Sequence, residues 1–336
     1  MTKRELINRW DSPEGNLLLG NIIKSLKNGK PLSAVDGIEN HLGLLDLRGA
    51  PLSKLTQEER TANGSYQFIQ KNSRLYLKKN EFEAIDFSFA EISHSEWYKC
   101  TVRNCLFEGT NLKEATFRAS DIRDCIFRKT NMSYSFLNLN AGKNSGSFIG
   151  CVFKKVNLCN AFFNFPLIKN CLFEACKFSV TCFDGSRFVD CEFIGTIDSA
   201  LFMGYSVYAR KSILGIFNRI DPRDYPNKME NIDFSNAKLV GVSFTHDINL
   251  KNCKLPEGDE YIIIKDLECT MEKVLMIIES EWEGEEKRLG LAMINNVYFK
   301  KNKHGKGTSI INTSPISSSH IGFDNRFYSL IRKYLD

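Results

Sequence analysis

At 336 residues, with 43% apolar and 25% charged content, the chain has the size and composition of one extended domain plus a smaller appendage. No run approaches the roughly 18 apolar residues that a membrane-spanning helix needs. The formal charge of +5 is too mild to point to nucleic acid by itself.

The start, Met1-Thr2-Lys3-Arg4-Glu5, has no apolar signal-peptide core. Ser12-Pro13-Glu14 predicts a helix start, with Ser as N-cap and Pro in the first turn. Leu18, Leu19, Ile22, Ile23 and Leu26 give it an apolar face, and Asn28-Gly29 with Pro31 ends it. Leu42, Leu47 and Leu52 then fall five residues apart. Ser53 to Arg74 carries charge and no such spacing. It is expected to be a side excursion, with Thr56-Gln57-Glu58-Glu59 as a short helix.

From Leu77 the spacing of five becomes strict. Leu77, Phe82, Phe87, Ile92, Trp97, Val102, Phe107, Leu112, Phe117, Ile122, Phe127, Met132 and Leu137 are all apolar. The series resumes at Phe148 and runs to Phe193. Two residues before most members sits a small one, such as Ala90, Ser95, Cys100, Cys105 or Thr110. A four-residue word recurs at Asn104, Asp124, Gly150, Asn170 and Asp190, with spacings of 20, 26, 20 and 20. Period five suits neither a helix nor a plain strand. It suits a four-sided coil of about 20 residues per turn, with the large and the small residue both inward. Asn138 to Ser147, rich in Asn, Gly and Ser, reads as a loop. If it is one repeat with six extra residues, Cys151 shares a face with Cys125; if it is two repeats with one extra, Cys151 moves one face on.

This pattern resembles the pentapeptide-repeat proteins. The resemblance implies an all-β solenoid, a right-handed quadrilateral pentapeptide-repeat β-helix, over 42–255. The N-terminal segment, 1–41, would be its helical cap, since a solenoid's end coil exposes unpaired backbone groups. The lead-in from Pro13-Glu14-Gly15 to Asp46-Leu47-Arg48-Gly49 is similar to that of some bacterial members, which implies a bacterial source. Excursions are expected at 53–74, 138–147 and 198–231. Within the last, Ser199 to Arg219 reads as a helix leaving the coil, ended by Asp221-Pro222 and Tyr225-Pro226. Phe234, Leu239, Phe244, Leu250 and Leu255 add one further coil.

The remainder, 256–336, predicts a small, mostly helical C-terminal domain. Tyr261 to Ile264 reads as a strand, and Met271 to Trp282, Glu285 to Phe299 and Asp324 to Leu335 as helices. Lys300 to Lys306 reads as an exposed basic loop.

Eight of the 11 cysteines, Cys100, Cys105, Cys125, Cys151, Cys171, Cys176, Cys191 and Cys253, take the small inward position, where cysteine packs as an apolar residue. No zinc-type pair appears, so neither a metal nor a cofactor is expected, and so many free thiols suggest a reducing cytoplasm. Cys269 before a helix, with His304 or His320 and Asp324 following, has the order of some cysteine proteases. It is the weak catalytic candidate beside a default of no catalysis. Residues just before the large inward ones should point out, which makes Leu106, Ile126, Val152 and Leu172 an apolar stripe in need of a cover. That cover is the chain's own later part, a partner or a second copy. Some gyrase-binding members of the family present an acidic, DNA-like surface. Here Phe82 to Thr196 holds 12 acidic and 13 basic residues, which argues against a duplex mimic. The sequence reads as a non-enzymatic scaffold presenting rigid faces to a protein partner or to itself, without nucleic acid or membrane. An effector acting through Cys269 and a gyrase-directed protein are the alternatives.

Overall fold

The computed structural model describes residues 1–53, 59–60, 66–67, 75–140, 144–206, 221–298, 307–313 and 321–335. Every member of the five-residue series from Leu77 to Phe193 is 3% exposed or less, so each large side chain points into one continuous core. Short strands lie between the corners and stack in parallel. Three faces are parallel sheets, and the fourth is a ladder of single bridges from Pro51 through Glu91, Asn111, Asn131 and Asn157 to Lys177.

The register repeats by whole rungs. Phe107 pairs with Phe127, Phe127 with Phe153 and Phe153 with Phe173. Across 138–147, therefore, six residues are looped within one repeat and Cys151 stays in the column of Cys125. Asn138 closes that gap. Its Oδ1 accepts the Ser120 N–H at 3.0 Å, in place of a backbone partner. The rings of Phe87, Phe107, Phe127, Phe153, Phe173 and Phe193 stack with centroids 4.7–5.0 Å apart. This is the inter-strand spacing of a sheet, transmitted to the side chains.

The small inward residues do more than fit. Thr110 and Ser135 donate their hydroxyls to the carbonyls of Phe87 and Leu112, each at 2.7 Å. Cys176 and Cys191 direct their thiols at the carbonyls of Phe153 and Ile168, at 3.2 and 3.4 Å. Each spans 23 residues, reaching back one rung to the large residue there. A side chain at this place must be small, and a donor gains a bond.

Most corners carry a left-handed residue two places after the large one. Phe89, Asn104, Glu114, Asp124, Tyr134, Asn160 and Val180 all have φ between 51° and 61°. At Gly109 the constraint is also steric, because a Cβ there would lie 2.8 Å from the Phe89 ring of the previous rung.

Two expectations about the coil need correction. Leu42 shares the phase of Leu47 and Leu52 but is 90% exposed, at the tip of a hairpin pairing Asn40–His41 with Leu44–Asp46. The coil begins after that turn, where Leu45 and Asp46 pair with Ile85 and Asp86. Further on, Leu201–Met203 is a strand of the coil, paired with Cys182 and Phe183 and then with Ser243 to Thr245, not part of a helix. One residue is missing from the period: Ile197 takes the inward place four after Phe193, and Phe202 follows five later. The expected excursion at 198–231 therefore does not begin at 198, and residues 207–220, where the rest of the expected helix falls, lie outside the described residues. In the first excursion, Glu59–Arg60 pairs antiparallel with Tyr66–Gln67, so Glu59 is in a strand where a helix was expected.

Both ends carry caps. At the N-terminus, α1 (Lys3–Asn8) starts with a capping box between Thr2 and Glu5, and α2 (Pro13–Lys27) starts on Ser12, whose hydroxyl accepts the Gly15 N–H. Arg9 and Arg48 each grip the Asp46 carboxylate with two hydrogen bonds of 2.8–3.0 Å, fastening these helices to the first rung. At the other end Tyr261–Ile264 pairs antiparallel with Ser309–Asn312. Three helices follow the alternation of apolar residues: α3 (Leu267–Glu281), α4 (Gly284–Ala292) and α5 (Ile321–Lys333). Tyr261 and Ile310 of the hairpin enter the core of the coil, while Ile262 and Ile264 enter a second core with Met271, Val274, Ile278, Phe327 and Ile331.

Candidate functional site

The stripe read from the sequence exists as a column. Leu106, Ile126, Val152 and Leu172 are in register on one face, bounded by Asp86 below and Glu192 above. Each packs against its neighbours, so only Ile126 is more than a third exposed, at 38%. The post-ring positions beside it are charged and largely paired along the column. Arg128 bridges Glu108 at 3.2 Å and Lys154 bridges Glu174 at 2.7 Å. Among the described residues no member of this stripe packs on the core shared by the helices α3 to α5.

The opposite face exposes more. Its outward column runs Glu96, Thr116, Phe136, Phe162, Cys182 and Leu201. Phe136 is 46% exposed and meets the edge of the half-buried Phe162 ring at 6.1 Å. The adjoining corner column carries Tyr134, Asn160 and Val180, with Tyr134 at 54% and Val180 at 63%. Both stand in left-handed backbone, at φ 59° and 57°. A β-branched residue there is an outlier, because its Cβ substituents crowd the following carbonyl. Asn160, between them, is a residue that such a corner takes readily. Tyr134, Phe136 and Val180 thus form an aromatic and aliphatic patch over three rungs. Phe136 and Phe162 each stand just before a large inward residue, Leu137 and Phe163, so their outward place follows from the same rule as the stripe. The corner residues were not legible in the sequence, because the left-handed position is filled by many residue types.

The family model for pentapeptide repeats, in 8 copies, matches residues 98–133. The same rungs continue in register before and after that segment. The coil is a pentapeptide-repeat β-helix. Three solved structures are similar to it. One is Rfr23, a pentapeptide-repeat protein from the cyanobacterium Cyanothece 51142, at 9% identity over 35% of this chain and 86% of that one, TM-score 0.29. A second is HetL, a pentapeptide-repeat protein involved in heterocyst differentiation regulation from Nostoc sp. strain PCC 7120, at 13% identity over 55% and 90%, TM-score 0.27. A third is QnrB1, a plasmid-mediated fluoroquinolone resistance protein, at 10% identity over 50% and 88%, TM-score 0.26. A comparison with curated proteins finds no match.

Along the chain the thiols divide by position. Cys105, Cys125, Cys151, Cys171 and Cys191 form a buried column of free thiols. Burial pushes Cys100 up to about 11 and Cys176 up to about 12, since a thiolate in the core would lose its hydration. Cys269 is the exposed one. It lies in the first turn of α3, and its N–H bonds the Asp266 carboxylate at 3.1 Å. Asp324 lies near the start of α5. His304 and His320, and the basic loop Lys300 to Lys306, lie outside the described residues. Among the described residues no group of three His, Cys, Asp or Glu could hold a metal, and no helix is long and apolar enough to cross a membrane.

Proposed function

We propose that this chain is a non-enzymatic binding scaffold that engages a protein partner through a side face of its coil. The observation that carries the reading is the patch of Tyr134, Phe136 and Val180. Two of these three exposed side chains occupy corners where an asparagine or glycine would relieve the backbone. Left-handed corners recur along the coil in many residue types, but Val180 is the one β-branched residue at such a corner among the described residues; strain retained there, at an exposed position, favours a role outside the fold. Exposed aromatic groups on a stiff support also suit binding, because little entropy is lost when they are covered. The stripe of Leu106, Ile126, Val152 and Leu172 is the second candidate face. It lies flatter and is bordered by charges already paired with each other.

The test compares the full-length chain with Phe136→Asp and Ile126→Asp. Each is immobilised and presented with an extract of its source cells, and melting temperatures are measured in parallel. A specific, saturable partner should bind the parent and Ile126→Asp and be lost from Phe136→Asp, with the three melting temperatures alike. A partner lost only from Ile126→Asp would transfer the function to the stripe. Equal binding to all three, or no saturable binding at all, would overturn the proposal.

A further inference from the structure

Arg187 stands on the third face, beside the corner that this face shares with the face carrying Phe136. The guanidinium lies against two rings, 5.5 Å from the centroid of Phe165 and 5.8 Å from that of Tyr225. These rings meet each other edge to face at 6.0 Å, so the three groups form a triangular cluster. Phe165 is itself buried, and its left-handed φ of 65° turns it toward the arginine of the next rung. The cluster leaves the charge poorly served. Nε is buried without an acceptor. Nη2 reaches the Ser145 hydroxyl only at 3.4 Å. Among the described residues no carboxylate pairs with it. Burial lowers its pKa, which records the cost of holding this cation away from water.

Several cations elsewhere on the coil are paired. Arg128 has Glu108, Lys154 has Glu174, and Arg48 has Asp46. A half-buried guanidinium set against two aromatic rings, with no anion among the described residues, is a built donor without its acceptor.

We infer that Arg187 is a recognition point for a carboxylate, supplied by an Asp or Glu side chain of the protein partner. The partner's existence rests on the function proposed above; the chemistry of the site stands without it. The carboxylate is favoured over phosphate by the number of donors. The cluster presents one guanidinium end and one hydroxyl, which matches a planar monoanion accepting two parallel hydrogen bonds. A phosphate dianion draws on more donors and more positive charge than this. The position beside the Phe136 face would let one partner segment bury apolar groups on the patch and place its acid on Arg187.

The inference is tested on the full-length protein, with hexaglutamate peptide as the probe and inorganic phosphate as the competing class. Phenylglyoxal modifies arginines, and peptide mapping gives the rate at each one. Arg103 and Arg123, exposed on the same face, are internal controls for general charge. Hexaglutamate should slow modification of Arg187 by roughly tenfold relative to the two controls, as expected for one bidentate charged contact. Equal protection of all three arginines, or none, overturns the site. Selective protection by phosphate but not by the peptide overturns the carboxylate. Arg187→Met supplies a second readout. If the cation is kept for a ligand, its removal should leave the melting temperature unchanged or raised. A clear fall would make Arg187 a structural clamp for Tyr225 and would overturn the inference even if the peptide protects it.

Discussion

Asp46 shows what one side chain does for the N-terminal cap. Its carboxylate is 3% exposed and accepts from Arg9 and Arg48 together. Burial by itself would raise its pKa, but the hydrogen bonds from Arg48 and then Arg9 prevail and hold it well below the usual carboxylate range. A folded value below the unfolded one, about 3.9, means that the stabilisation is complete above that value. It is lost only as the pH falls through the folded value. Asp46→Asn should therefore cost about 3–5 kcal/mol, because two guanidinium groups lose their anion. The cost should be the same at about pH 5 and about pH 8 by urea unfolding. A cost that shrinks between them would mean that another titrating group carries the effect. The cysteines permit a second test at this scale. A thiol reagent applied to the native protein should label Cys269 quickly and the core cysteines slowly, and all 11 should react after unfolding without reductant. Rapid labelling of Cys125 or Cys151 would mean that the core opens. The inward place of these cysteines was legible from spacing alone. The bond from each thiol or hydroxyl to the rung below was not, because it joins residues 23 apart that no local pattern links.

At the scale of the rung, regularity in the sequence and in space are the same fact. Each ring from Phe87 to Phe193 is fixed by the ring above and the ring below, so a departure from period five would open a hole. Phe127 lies between Phe107 and Phe153, at 4.8 and 5.0 Å. Phe127→Ala should cost about 3–5 kcal/mol in urea unfolding. A cost below about 1 kcal/mol would mean that the column can collapse around the gap. Where one residue drops out, after Phe193, the period vanishes from the sequence although the coil continues through Phe202. Leu201, Phe202 and Met203 then read as helix because three apolar residues in a row carry no period. Leu42 fails in the opposite sense: phase alone does not separate an inward leucine from one at a hairpin tip. The corners hold the remaining tension. Val180→Asn should stabilise the chain by about 1 kcal/mol, since asparagine tolerates the left-handed corner and the valine contributes little to the core. The same variant should weaken the proposed partner complex. A variant that is less stable than the parent would show that Val180 packs, and would remove strain as a reason to assign it a function.

The whole molecule is a stack of parallel strands with two ends, and each end must satisfy a row of backbone groups. At the start, the first rungs lie against α2, and Asn80 donates its side-chain amide to the Leu26 carbonyl at 2.8 Å. This closure was foreseen in kind, from the apolar face between Leu18 and Leu26. The closure at the other end was not, because it is made by single polar atoms far apart in sequence. The Leu239 N–H of the last coil donates to the Tyr261 hydroxyl at 3.0 Å, and the Leu239 carbonyl accepts from the Asn312 amide. Leu250 donates its N–H to the Thr308 carbonyl at 2.9 Å. Three residues of the hairpin segment thus occupy positions that a further rung would otherwise fill. Stopping the chain after Glu257 should uncover these groups together with the apolar surface under Tyr261 and Ile310. Such an edge recruits another copy, so light scattering should show association that grows with concentration. Tyr261→Phe, in the full chain, removes only the hydroxyl. It should leave the protein in the parent's state of association and cost about 1–3 kcal/mol for the buried N–H of Leu239. The two variants separate a cap that prevents stacking from one that merely adds stability. If the shortened chain keeps the parent's association state and melting temperature, the edge is harmless and the hairpin is no cap. If Tyr261→Phe alone causes association, the hydroxyl is what keeps the hairpin docked on the last coil.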